Sequence, residues 1–307
     1  MAMTKAIIRS LLKLSLPELI AKADKVRQVH AGSRLELCSI MNAKSGACAE
    51  DCKFCAQSAH HVTSVEKYSL KSKEEMVTAA RRAKEIGAQR FDVVTSGDAL
   101  SKKEIKIIAE AVSEITKNVG IKMCASLGRM NEEDLRFLKK AGLTRYHHNI
   151  ETSPRFFSKI VSTHTFEDRI ATIQAAKKCG LEICSGGIIG LGETMDDRID
   201  MALWLKKLGV DSVPVNILVA IKGTGMEKQK PLSGVEAIRT LAIFRIILKD
   251  KIIKVAAGRE SVLKDFQALA FMAGANGMLI GGYLTIKGRT PQEDWKLVRE
   301  VEKLWKN

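Results

Sequence analysis

Three cysteines stand together in the segment Cys48-Ala-Glu-Asp-Cys52-Lys-Phe-Cys55, spaced by three and then two residues. Three thiolates on one short loop either bind something in common or duplicate each other's chemistry. Thiolates are the usual ligands of iron–sulfur clusters, and three of them around a four-iron cluster leave one iron open to a substrate or cofactor. Zinc is the alternative, but structural zinc sites take four ligands in paired spacings, so a fourth would have to come from nearby, with His60 or His61 in reach. Four further cysteines, Cys38, Cys124, Cys179 and Cys184, stand apart from the loop. The basic N-terminus lacks the apolar core and small-residue cleavage site of a secretory leader. Seven cysteines in such a chain suit metal binding or catalysis in a reducing cytoplasm better than a disulfide framework.

The 307 residues include 50 Lys and Arg against 35 Asp and Glu, a formal net charge of +15. That excess raises the question of nucleic acid. The basic residues are interleaved with acids at helical spacing, as in 71–84 and 102–117, and three Trp with three Tyr offer little for a stacking platform. A nucleic-acid surface is therefore not expected. Apolar residues at 46% and charged ones at 28% are ordinary globular usage. The longest weakly polar run, 271–286, is broken by Gly and Asn and reads as buried helix and strand, so no membrane span is expected.

Helix starts are legible along the chain. Ser or Thr followed three residues later by an acid occurs at Ser15/Glu18, Ser72/Glu75, Ser101/Glu104, Thr165/Asp168, Thr194/Asp197, Ser233/Glu236 and Thr290/Glu293, with Asn131/Asp134 as a variant. Gly87, Gly120, Gly142, Gly180 and Gly209 mark helix stops. Between them fall eight strand candidates, at 34–41, 90–96, 121–127, 144–150, 181–188, 212–218, 252–257 and 278–282. Strands alternating with helices demand parallel pairing and right-handed crossovers, and eight units close into a (β/α)8 barrel of the TIM type. An open doubly wound sheet is the competing arrangement. The expected organisation is an N-terminal helical extension at 1–32 and one barrel domain at 33–307.

The cysteine loop following a first strand resembles the signature of the radical S-adenosylmethionine (SAM) superfamily. A longer resemblance, from Ser33 to about Gly282, is to the biotin synthase family. It rests on the cysteine loop, His148-Asn-Ile-Glu-Thr-Ser-Pro154, Cys184-Ser-Gly-Gly-Ile-Ile-Gly-Leu-Gly-Glu-Thr194, Ser212-Val-Pro-Val-Asn216, Ala257-Gly-Arg-Glu260 and Phe271-Met-Ala-Gly-Ala-Asn276. The resemblance implies a 4Fe-4S cluster on Cys48, Cys52 and Cys55 that cleaves SAM, and sulfur insertion into dethiobiotin from an auxiliary iron–sulfur cluster. It further implies that Phe54 lies near adenine, that Ser96 and Gly97 meet the SAM amino group, and that Arg169 holds the SAM carboxylate. Asn149 and Glu151 would contact the SAM ribose and the substrate, Ile188 would pack on adenine, and Asn216 would meet the ureido group of dethiobiotin. The family usually carries Asp where this chain has Glu151.

The auxiliary cluster of the better-known members takes three cysteines and one arginine. Cys124, Cys184 and Arg259 match three of these positions, whereas the fourth is Asp92 here and a new cysteine, Cys38, stands on the first strand. Since barrel interiors are filled in layers from alternate strands, Cys38, Cys124, Cys184 and Arg259 form one candidate layer. The expectation is that Cys38 replaces the missing ligand, in a 2Fe-2S cluster or a four-iron form with an extra sulfide. Cys179, ending a helix, has no expected cluster role. The resemblance also implies a flavodoxin or ferredoxin type reductant and a homodimer. A maturase-like or mutase-like radical SAM enzyme acting on another small molecule is the alternative.

Overall fold

The structure, a computed structural model, describes residues 5–284 and 288–306, so residues 1–4 of the expected extension and 285–286 of the weakly polar run lie outside it. Two helices, Lys5–Leu11 and Leu16–His30, precede the first strand. The strands are β1 (Glu36–Lys44), β2 (Arg90–Thr95), β3 (Lys122–Ser126), β4 (Arg145–His147), β5 (Glu182–Cys184), β6 (Gly187–Ile189), β7 (Ser212–Ile217), β8 (Ile252–Val255) and β9 (Gly277–Leu279). Every pairing is parallel. β1 pairs with both β2 and β9, and β5 and β6 both pair with β7, so the sheet closes on itself.

β5 and β6 are two halves of the single strand expected at 181–188. The interruption at Ser185-Gly186 has a steric cause. A Cβ on Gly186 would lie 1.9 Å from the Pro214 carbonyl oxygen, and one on Gly187 would lie 2.2 Å from that of Glu151. The neighbouring backbones approach so closely here that only glycine passes, and regular pairing lapses. The wall is a closed ring of eight parallel staves, one of them interrupted.

The helices around the ring begin where local chemistry dictates. Ser15, Ser72, Ser101, Thr165 and Thr194 each form a reciprocal capping box with the acid three residues on. Asn131 and Ser233 cap their helices from one side, and Thr290 exchanges both bonds with Glu293. The five expected stop glycines all adopt positive φ.

Inside the ring, the two-residue alternation of strands puts one set of side chains on the axis. Register pairs Cys38 with Arg90, Asp92 with Cys124, Cys124 with Arg145, and His147 with Cys184. At the N-terminal end, the Glu36 carboxylate receives Arg90 Nε at 3.0 Å, Arg145 Nη1 at 2.6 Å and Lys254 Nζ at 2.9 Å. These four residues are 2–3% exposed. Glu182 Oε2 bridges the two guanidinium groups at 2.7 and 2.8 Å. A Cβ on Gly277 would stand 2.8 Å from Lys254 Cγ, so glycine leaves room for the lysine stem. Burial alone would raise the Glu36 pKa, but Lys254, Arg145 and Arg90 outweigh it and hold the carboxylate well below the usual range.

Replacing Glu36 with Gln leaves three buried cations short of their shared counter-charge, so Glu36→Gln should cost about 3–5 kcal/mol in urea unfolding at neutral pH. Because the folded pKa is depressed, the wild-type advantage is complete above about pH 4.3 and is lost as the pH falls toward the folded value. The gap between wild type and variant should therefore shrink in acid, and a gap constant down to pH 3 would contradict the assignment.

Candidate active site at the C-terminal mouth of the barrel

The segment from Gly46 to Ala59 leaves β1 at its C-terminal end, where barrel enzymes place their chemistry. Gly46 and Ala47 take positive φ, turning the chain sharply into the cysteines. Cys48 N donates to Gln57 O at 3.1 Å and Ala59 N to Cys48 O at 2.7 Å, which clamps the two ends together. Asp51 ties the loop to the other side of the mouth by accepting from Ser162 N at 2.9 Å and Thr163 N at 3.2 Å. Lys53 N donates to Ile160 O at 2.9 Å. Desolvation works against the Asp51 charge, but bonds from Ser162 and Thr163 prevail and hold the carboxyl well below the usual range.

Cys52 is buried, and Cys48 and Cys55 are half-buried. Burial pushes the Cys52 thiol far up and the Cys55 thiol to about 11, with repulsion between the three sulfurs adding to the effect. Thiols in this setting ionise when a cationic centre coordinates them. Among the described residues, no three His, Cys, Asp or Glu side chains converge as a single ion would require. His60 Nε2 and His61 Nδ1 are instead directed at the Ala49 and Cys55 carbonyls, 2.9 and 2.8 Å away. The zinc alternative therefore lacks its fourth ligand, whereas a cluster needs only one thiolate for each of three irons.

The three cysteines share a cavity with Phe54, Ser96, Gly97, Asn149, Glu151 and Arg169. Ser96 Oγ donates to Gly46 O at 2.8 Å, fastening the β2 loop to the cysteine loop. Gly128 lets that loop close: a Cβ there would stand 2.1 Å from Asp98 O. Arg129 and Asp98 also form an ion pair across it. Glu151, just beyond β4, takes φ of 63°, an uncommon backbone for a non-glycine residue that clusters at functional sites. Its burial raises its pKa, against the opposing pull of Arg169 at 3.8 Å.

Arg169 is positioned from two sides. Its Nη1 donates to Asn149 O at 3.2 Å and its Nε to His164 Nε2 at 3.1 Å, while His164 Nδ1 faces the Glu50 carboxylate. Neutral His164 protonated at Nδ1 satisfies both contacts, donating to Glu50 and accepting from Arg169. Three buried polar atoms lining the cavity, Thr95 Oγ1, His148 Nε2 and Glu151 Oε2, have no hydrogen-bond partner among the described residues. Their placement fits a polar ligand.

Two expected ligand contacts lie elsewhere. Ile188 is half-buried on β6, outside this lining. Asn216, its register partner, donates from Nδ2 to Gly187 O at 3.3 Å and accepts at Oδ1 from Ala257 N at 3.2 Å. The glycine-rich stretch turns through Glu193, which accepts from Gly190 N at 2.9 Å and pairs with Arg198 at 2.6 Å.

Deeper in the barrel, Cys38, Cys124 and Cys184 are all buried on the inner face. A hydrogen bond with Cys38 and burial push the Cys124 thiol well up. Cys184 and Cys38 both act electrostatically on Lys254, and Cys184 and Cys124 both on Arg145, so all three cysteines lie within electrostatic reach of the cation layer. Arg259 reaches the edge of this layer, with Nη2 3.4 Å from the carbonyl of Leu279, the register partner of Cys38. Its guanidinium is otherwise committed to Asp294 at 2.6 Å, Glu260 at 3.2 Å and Gln267, leaving Nε buried without a partner. Cys179 is buried on the far side of its helix, its sulfur 3.5 Å from Glu132 O.

Sequence reasoning missed the contacts that hold the set in place. Asp92 Oδ2 meets His147 Nδ1 at 3.2 Å, and His147 Nε2 meets Asn149 Oδ1 at 3.0 Å, so a dyad spans the space between the deep cysteines and the mouth. Burial opposes a charge on His147, but Cys184 and Asp92 outweigh it and raise its pKa to about 9. Parity puts His147, Asn149 and Glu151 on one face of the fourth strand in the sequence, but no local signal pairs His147 with Asp92 on another strand.

Comparison with known proteins places the chain in a family. Residues 43–205 match the radical SAM superfamily, and residues 214–302 match the Biotin and Thiamin Synthesis associated domain. The biotin synthase of Thermotoga petrophila is 51% identical over 298 residues, covering 97% of this chain and 98% of that protein. That of Carboxydothermus hydrogenoformans is 47% identical, covering 92% and 88%. Among solved structures, methylornithine synthase superposes with a TM-score of 0.84 at 20% identity, covering 99% of this chain and 93% of its own. A maturase of the [FeFe]-hydrogenase superposes with a TM-score of 0.81 at 18% identity, covering 96% and 70%. At these identities the two structures share the fold, whereas the curated relatives share the sequence from end to end. The chain belongs to the biotin synthase family of radical SAM enzymes.

Proposed function

We infer that this enzyme converts dethiobiotin to biotin by radical sulfur insertion. The observation that carries this reading is the presence of two separate cysteine sets on the axis of one barrel, one at the mouth and one beneath it, joined by His147 and Asn149. When bound, the mouth cluster supplies the electron for reductive cleavage of SAM, and the auxiliary cluster supplies the sulfur.

The remaining work falls to the chain. Cys48, Cys52 and Cys55 hold the 4Fe-4S cluster. Arg169, fixed by His164 and Asn149, presents a planar guanidinium to the SAM carboxylate. Ser96 and Gly97 receive the amino group, Phe54 flanks adenine, and the unpartnered Glu151 Oε2 suits a ribose hydroxyl. Asn149 Oδ1 already accepts from Gly186 N at 3.0 Å, so its Nδ2 is the atom left to donate to ligand. Asn216 and Ile188 face the barrel from β7 and β6; for Asn216 to meet a ureido group it must exchange its contacts with Gly187 and Ala257. Cys38, Cys124 and Cys184 hold the auxiliary cluster, with Arg259 alongside at Leu279.

Seven free cysteines suit a reducing cytoplasm, and no helix among the described residues is long and apolar enough to cross a membrane. A flavodoxin or ferredoxin type protein is the proposed electron source, and a homodimer the proposed assembly.

Anaerobically purified protein should contain about eight irons if both clusters are four-iron types and about six if the auxiliary one is 2Fe-2S. With SAM and reductant it should form biotin from dethiobiotin; SAM cleavage with dethiobiotin untouched would overturn the substrate assignment. Cys38→Ser should lose the auxiliary iron and biotin formation while still cleaving SAM, and unchanged iron content would remove Cys38 from the ligand set. His164→Ala should weaken SAM binding about tenfold in equilibrium dialysis, the loss of one positioning hydrogen bond to a charged group. An unchanged dissociation constant would leave Arg169 positioned without it.

A further inference from the structure

At the N-terminal end of the barrel, opposite the SAM site, lies a cavity of about 480 Å3. Arg34, Lys122 and Lys251 stand on its lining with Asp211 and Asp250, and its inner wall is formed by Arg90, Arg145 and Glu36. The same two arginines are the register partners of Cys38 and Cys124. A single layer of side chains therefore separates this cavity from the deep cysteines.

That layer carries an excess of positive charge. Arg90, Arg145 and Lys254 are three cations, and Glu36 and Glu182 are the two carboxylates that pair with them. Asp92 lies further in, beyond this layer, against His147. Glu36 is buried, but the Glu182 side chain is 43% exposed and spans both guanidinium groups from the cavity side. A small anion arriving from solvent can take the place of Glu182 on Arg90 and Arg145 without breaking the Glu36 contacts. Each guanidinium has five N–H groups, and those of Arg90 reach three protein acceptors.

We propose that this cavity is an anion port through which hydrosulfide reaches the auxiliary cluster site. The inference rests on the sulfur-donor reading above: every turnover removes one sulfide, which must be restored before the next. The port opens at the end opposite the mouth, so refilling need not share the route by which SAM and product exchange. Entry involves no redox change. Hydrosulfide would bind as a monoanion at the arginines and pass toward Cys38, Cys124 and Cys184, which would hold the cluster that takes it up as sulfide, and the proton released would leave through the same cavity to solvent. A focused positive field at such an entrance raises the local anion concentration and the association rate.

The test uses holoenzyme that has completed one turnover, given isotopically heavy sodium sulfide, with labelled acid-labile sulfide read by mass spectrometry. In wild type, uptake should proceed unchanged when SAM and biotin saturate the mouth. The Lys122→Glu/Lys251→Glu double variant should take up label about tenfold more slowly, and Asp250→Lys, reversing an exposed acid on the same lining, should take it up severalfold faster. First-turnover biotin should be the same in all three proteins. Uptake halted by SAM and biotin, or indifferent to both charge variants, overturns the port. If the double variant loses iron, Asp250→Lys and the blocked-mouth measurement decide. Wild type that makes biotin once yet loses no acid-labile sulfide in doing so instead overturns the sulfur-donor reading, a result the charge variants do not influence.

Discussion

Four staves of the barrel converge on one carboxylate. Glu36 on β1 meets Arg90 on β2, Arg145 on β4 and Lys254 on β8, and the resulting knot sets the inward parity of these four strands. Strand side chains alternate, so a slip of one residue in any stave would exchange its inner and outer faces. Such a slip would drive a buried charge into the apolar shell between sheet and helices. With Glu36, Arg90 and Arg145 fixed inward, Cys38, Asp92 and His147 two residues on must also face inward. Asn149, two residues further, then arrives at the mouth. The chemistry is thus indexed to the ion cluster below it.

The two cysteine sets are held by different physical means. Cys48, Cys52 and Cys55 sit on a loop anchored by hydrogen bonds to Ser162, Thr163 and Ile160, at an end of the barrel that ligands must enter and leave. Cys38, Cys124 and Cys184 sit buried on strands paired into the barrel wall. A radical generator has to exchange its cofactor every cycle, while a sulfur donor has to keep its sulfide from leaving except to the substrate radical. Loop and strand supply those two conditions separately.

Much of this arrangement was legible in the residues. Cap signatures at Ser15, Ser72, Ser101, Thr165 and Thr194 located helices because the reciprocal bonds they form are local. The cysteine loop was legible for the same reason. The break between β5 and β6 was not, because it depends on how near Pro214 and Glu151 come to Gly186 and Gly187 across the sheet. The partners of Arg259 were equally hidden: Asp294 comes from the last helix, and no spacing rule joins positions so far apart. Charged residues inside otherwise apolar strands, at 36, 90, 145 and 254, carried the strongest unread signal, since a buried charge implies a buried partner.

The closure of the ring also sets an order of maturation. β9 is the stave that pairs with both β1 and β8, and it ends at Leu279. The mouth loop has all its anchors once the chain has been made as far as Arg169, whereas the deep cysteines stay unenclosed until the final strand docks. A chain folding from its N-terminal side thus completes its first cluster cradle while its second is still an open trough. Until the deep site is filled, the bare barrel stands on its ion knot.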